Sequence, residues 1–165
     1  MCHRNPRLQF KTLEWDDGDP LPPEKYVFSF TCNHIRGVGK TRRPIIGKKI
    51  DVLVHLVPAY PGVKPLVIVL APHRLWHPNV SHSSGEFCTG KWLNQPLDQF
   101  VAFLGRMIVW AVYDPGDPKS KKVARWAREV GEKRGYVGPN RPTDSDNFWP
   151  KRRRAASIKI SRRIG

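Results

Sequence analysis

No stretch of this sequence is both apolar and long. The longest apolar runs, PLVIVLAP at 65–72 and MIVWAVY at 107–113, fall far short of the ~20 residues a membrane-spanning helix requires. The opening residues, MCHRNPRLQF, lack the apolar core of a secretory leader. Cysteine is scarce and odd in number. Cys2, Cys32 and Cys88 share no C-x-x-C spacing, which argues against a disulfide framework and for a reducing compartment. The expectation is a cytoplasmic protein with no membrane partner.

Acid is also in short supply. The chain of 165 residues carries 14 Asp and Glu against 29 Lys and Arg, a net charge of +15. Residues 151–165 hold seven of those cations and no acid, and without them the net charge is +8. A basic field attracts nucleic acid, acidic lipid or an acidic protein face alike, so charge alone does not choose a partner. Hydrophobic content of 39% is low for a wholly globular chain. The length suits one domain with a real core, expected over 1–135, followed by a basic extension over 136–165.

What is present reads as strands first and helices later. Tyr26, Phe28, Phe30 and Cys32 alternate with Ser29 and Thr31, predicting a half-buried strand over 25–32. The stretch NHIRGVGKTRRP at 33–44 reads as its connection to a second strand over 49–57, with Ile50, Val52, Val54 and Leu56 on one face. LVIVL at 66–70 predicts a third strand buried on both faces. After Pro96 the period changes. Leu97, Phe100, Val101, Leu104, Met107, Ile108, Ala111 and Val112 predict a helix over 97–112 with one wide apolar face. A second helix is expected over 119–133, its inner stripe formed by Val123, Trp126, Ala127 and Val130. Residues 1–24 read as an irregular approach. The class is α+β, helices packed on an antiparallel meander.

Several stretches carry residues with chemical potential. GVGKT at 37–41 has His34 where a phosphate loop needs a glycine, and a proline follows instead of a helix, so a flexible basic connection is the better account. His73, His77, His82 and Cys88 match no familiar zinc spacing, and no metal is expected. The basic tail has almost no aromatic residue after Trp149, which favours a solvated tail over a nucleic-acid partner. Cys88 ends the polar stretch WHPNVSHSSGEFC at 76–88. A lone cysteine is most often a small buried hydrophobe, yet this one lies outside any core element. On spacing alone it is either an incidental thiol or the centre of a site. Of the histidines, only His77 has a fixed setting, beside the turn formers Pro78 and Asn79.

The order of features resembles the ubiquitin-conjugating enzymes, from about Tyr26 to Val130. It is carried by Tyr60-Pro61 with Pro65 and Val67, then His77-Pro78-Asn79, Cys88, Trp92 and Pro96, the apolar helix, and Asp114-Pro115-Gly116-Asp117-Pro118. Each motif is weak; their shared order is not. Cys88 lies one residue further from Asn79 than is usual in the family, Trp92 follows it closely, and no long N-terminal helix is visible. This compact form resembles the family's bacterial relatives.

The resemblance implies a four-strand meander with flanking helices, residues 1–135 being the catalytic domain. It implies that Cys88 carries the C terminus of a ubiquitin-like protein as a thioester, received from an activating enzyme and passed to an amine of a target protein. A thiolate is both a strong nucleophile and a good leaving group, as such relays need. Asn79 would either donate to the oxyanion or hold the loop that does; one such donor is worth about 100- to 1,000-fold in rate. His77 would buttress the turn rather than act as a base. Asp117, with Asp114 second, would orient and deprotonate the incoming lysine, although Asp117 serves equally well as the N-cap of a helix starting at Lys119. No cofactor is implied, since ATP would be spent by the activating enzyme. Lys40, Arg42, Arg43, Lys48 and Lys49 would meet the acidic face of the activating enzyme or the carrier. Two other readings stay open: an idle adaptor of the same fold, and a basic nucleic-acid-binding module with an incidental thiol.

Overall fold

The structure, a computed structural model, describes residues 6–13, 23–90 and 94–137. Strands β1 (Leu8–Leu13), β2 (Lys25–Val38), β3 (Pro44–His55) and β4 (Leu66–Val69) form one antiparallel sheet in sequential order. The pleat sends alternate residues to opposite faces. Phe28, Phe30 and Cys32 of β2 therefore share a buried face with Ile50, Val52 and Val54 of β3, with Phe28 opposite Val52 and Phe30 opposite Ile50. Helix α1 (Leu97–Ile108) covers that face with Phe100, Val101, Leu104, Met107 and Ile108. A second apolar cluster gathers Ile35, Trp110, Val123, Trp126, Ala127, Val130 and Val137. It is built around α2 (Lys121–Trp126) and the π-helical turn that continues it, Ala127–Gly131.

Several expected boundaries move, each for a physical reason. The approach segment contains β1, which sequence periodicity hides because Leu8 is 2% exposed while Phe10, on the same face, is 44% exposed. Pairing with β2, Leu8 against Phe30, supplies what local pattern does not. β2 does not stop at Cys32. It runs to Val38 through register shifts between Thr31 and His34 and between Ile35 and Gly37, which turn Ile35 into the second cluster. Gly47 makes this possible: a Cβ there would lie 2.3 Å from Nε2 of the buried His34.

The GVGKT stretch ends β2 and opens a docked hairpin tip rather than a flexible connection. Gly39 N–H donates to the Arg43 carbonyl at 2.9 Å, the Trp126 indole donates to the Arg42 carbonyl at 3.0 Å, and Arg42 pairs with Glu129 at 2.7 Å. β4 is an edge strand. It is not buried on both faces, since Leu66 is exposed while Val67 and Val69 are buried.

The first helix ends at Ile108, not Val112. Trp110 takes a left-handed backbone (φ 63°), its N–H donates to the Met107 carbonyl and the Ala111 N–H to the Arg106 carbonyl. That is a Schellman stop with tryptophan where glycine is usual. The second helix starts two residues later than expected, at Lys121, and turns π-helical after Trp126. Among the described residues no helix is long and apolar enough to cross a membrane.

Candidate functional site

The segment 76–88 is pinned along its length. The Trp76 N–H donates to the Ile35 carbonyl at 2.7 Å. Residues 80–87 form a small hairpin: Val80 bridges Phe87, Ser81 N–H donates to the Glu86 carbonyl and Gly85 N–H to the Ser81 carbonyl, both at 2.9 Å. Gly85 closes this turn at φ 73°. The hairpin then adds to the open edge of β4, with Phe87 N–H on the Val67 carbonyl and Val69 N–H on the Gly85 carbonyl, again at 2.9 Å. The polar stretch between Asn79 and Cys88 is thus folded into a paired turn. Cys88 follows the buried Phe87 directly, and its own N–H donates to the Asn79 carbonyl at 2.7 Å. The thiol is free and half-exposed.

His77 is fully buried. Its Nδ1 accepts the Asn79 N–H at 3.2 Å, and its Nε2 lies 3.3 Å from the Val112 carbonyl, which can only accept. Both contacts are satisfied at once by the neutral ring with its proton on Nε2. Burial pushes the imidazole down to about 3, and its ring packs on Trp110 at 4.9 Å. Such a group fastens the turn to the segment after α1 and takes up no proton near neutrality.

Asn79 is 4% exposed and spends its amide on the acidic loop. Nδ2 donates to the carbonyls of Asp114 (2.9 Å) and Asp117 (3.4 Å), while Oδ1 accepts the Asp114 N–H at 2.7 Å. Both amide hydrogens are engaged. In this geometry the side chain ties the turn at 77–79 to the backbone of 114–117. Asp114 turns its carboxylate onto the Gly116 N–H at 2.7 Å. Asp117 joins the network through its carbonyl and is itself exposed. It does not cap the helix: Ser120 holds the N-cap position of α2, and the Ser120 N–H donates to the Pro78 carbonyl at 3.0 Å. Lys119 reaches Glu86, two residues before Cys88, at 3.8 Å.

Cys88, Asn79, His77 and the backbone of 114–117 therefore form one connected network. The Tyr-Pro motif holds the approach to α1 instead, where the Tyr60 hydroxyl donates to the Gln95 carbonyl at 2.5 Å and Asn94 N–H to the Pro61 carbonyl at 2.8 Å. Trp92 lies outside the described residues. His73 is turned away to Asp51 at 3.2 Å, and among the described residues no group of three or more His, Cys, Asp or Glu could hold a metal. Sequence reasoning misses Trp110, whose ring meets His77, Tyr113 and Trp126. It also misses the carbonyls of Pro78 and Val112, because a backbone acceptor carries no residue signature.

No family model matches the chain, and no curated protein does. Solved structures do. One described as a novel ubiquitin-conjugating enzyme superposes at a TM-score of 0.52 and 16% identity, covering 79% of each chain. The E2 domain of a Toxoplasma gondii ubiquitin conjugating enzyme gives 0.47 at 20% identity, covering 76% of this chain and 79% of its own. The likeness above 0.5 establishes the fold. The chain has the α+β ubiquitin-conjugating fold, as its motif order implied.

Proposed function

We propose that this chain is a cytoplasmic conjugating enzyme that carries a ubiquitin-like protein as a thioester on Cys88. The thiolate of Cys88 attacks the thioester on the activating enzyme, whose thiol leaves. A target lysine then attacks the new thioester; its lost proton passes to Asp117 and Cys88 departs as thiolate. The observation that carries this reading is the network in which Cys88 and an acidic loop are bound to the same asparagine, one by its carbonyl and the other by its amide. A nucleophile and a carboxylate-bearing loop held to one residue are what acyl transfer to an amine requires. An idle adaptor would have no use for a half-exposed thiol in this setting.

The test is direct. Incubated with an activating enzyme, ATP and its ubiquitin-like protein, the chain should gain a mass adduct that reductant removes. Cys88→Ala should form none, and Cys88→Ser should form an ester that survives reductant. Binding without any adduct, across several matched pairs, would instead assign the chain to the adaptors.

A further inference from the structure

The acidic loop is gripped from two sides, and Asn79 is only one of them. From the other side the C-terminal helical segment reaches it twice. Arg128 donates through Nη1 to the Pro115 carbonyl at 3.2 Å, and Glu132 accepts the Tyr113 hydroxyl at 2.5 Å. Pro115 lies between the two carbonyls that Asn79 holds, and Tyr113 immediately precedes them. Both grips come from the π turn or its end, where the Glu132 N–H bonds five residues back to the Ala127 carbonyl at 2.9 Å. Single π turns of this kind are rare and recur at functional sites. Burial, then the neighbouring Glu132 carboxylate, push the Tyr113 phenol up to about 12, so its hydroxyl stays a donor. Its ring packs on Trp110 at 5.2 Å, the same ring that backs His77.

Between the Asp114 and Asp117 carbonyls Asn79 has no contact, and the Gly116 N–H bonds only within the loop, to the Asp114 carboxylate. Arg128 supplies the hold there. We infer that Arg128, Tyr113 and Glu132 are positioning residues for the amine-transfer step: by gripping the loop they set where the Asp117 carboxylate meets the incoming lysine. This rests on the conjugating-enzyme reading of Cys88. In that step the lysine nitrogen bonds to the acyl carbon and the carbon–sulfur bond breaks. Cys88 leaves as thiolate, and the amine's proton goes to Asp117 and on to water.

The probe is a short peptide ending in Gly-Gly, supplied as a small-thiol thioester that exchanges onto Cys88 and releases the small thiol, with Cys88→Ala as the blank. Discharge is timed to free lysine and to hydroxylamine, an amine already neutral at pH 7. Arg128→Ala and Tyr113→Phe should load normally and lose about fivefold in discharge to lysine, the worth of one hydrogen bond, with little loss to hydroxylamine. Arg128→Lys, which can still donate to the Pro115 carbonyl, should recover most of the rate. The double variant Tyr113→Phe, Glu132→Ala should be no slower than the slower of its two single variants, since each single change already removes the one bond they share. Equal slowing for both amines, or no slowing, overturns the assignment while wild-type transfer stands. A wild-type chain that discharges to lysine no faster than the free probe thioester defeats the conjugating-enzyme reading, and this inference falls with it.

Discussion

His77 is a residue whose burial has a measurable cost. Its ring is neutral when folded, with its ordinary value of 6.5 lowered to about 3. Above pH 6.5 the folded and unfolded chains both hold it neutral, and it adds no pH dependence. As pH falls from 6.5 toward 3 the unfolded chain binds a proton that the folded one refuses. Stability is then lost at about 1.4 kcal/mol per pH unit. His77→Gln, which cannot titrate, should show a shallower fall than wild type in urea midpoints between pH 6 and 4; parallel curves would refute the assignment. Asn79 poses a different problem. Asn79→Ala strands the Asp114 N–H and the carbonyls of Asp114 and Asp117, so it should destabilise by about 1–3 kcal/mol and raise amide exchange at Asp114, read by exchange mass spectrometry. The identity of these residues was legible in the sequence, because H-P-N and a following cysteine are residue patterns. The work of Asn79 was not. Its partners lie 35 and 38 positions away, and which of two roles its amide plays depends on where those carbonyls come to rest.

Among the elements, the hairpin at 80–87 decides where Cys88 sits. Its turn depends on Gly85, whose φ of 73° suits no side chain well and whose Cβ would lie 2.8 Å from the Val69 carbonyl. Gly85→Ala should therefore cost about 1–3 kcal/mol and loosen the hairpin from β4. Loosening frees the Cys88 segment, so alkylation of the thiol by iodoacetamide should quicken in the same variant. An unchanged midpoint and an unchanged alkylation rate would show that the edge pairing does not hold the site. Strong alternation made β2 and β3 legible from Tyr26 to Cys32 and from Ile50 to Val54, and the 3.6-residue stripe made α1 legible from Leu97 to Ile108. What hid the rest was tertiary. The shifts in β2 pair His34 with Gly47, and no local window contains both. Trp110 has every sequence reason to continue a helix and instead ends it, because its indole is wanted between His77 and Trp126.

At the scale of the whole molecule, two apolar clusters share the work: one holds the sheet on α1 and the other holds the acidic loop's helical support against the β2–β3 tip. Around them lies an unbalanced surface. Lys119, Lys121, Lys122, Arg125, Arg128, Lys133 and Arg134 are all exposed. Against them the same stretch sets only Glu129, paired with Arg42, and Glu132, bonded to the neutral Tyr113 hydroxyl. The folded part therefore keeps a basic field of its own, and residues 150–165 add seven further cations to it. Charge of this sort acts on encounter more than on chemistry. Deleting residues 150–165 lowers the net charge from +15 to +8 but removes no group of the network around Cys88. The truncated chain should thus form the Cys88 thioester to the same extent. Its initial rate with an acidic carrier or activating enzyme should fall by roughly tenfold or less at low salt. The two chains should converge as salt shortens the reach of the field to a few ångströms. Loss of the thioester itself on truncation, at every salt concentration, would make the tail part of the transfer machinery rather than a source of attraction.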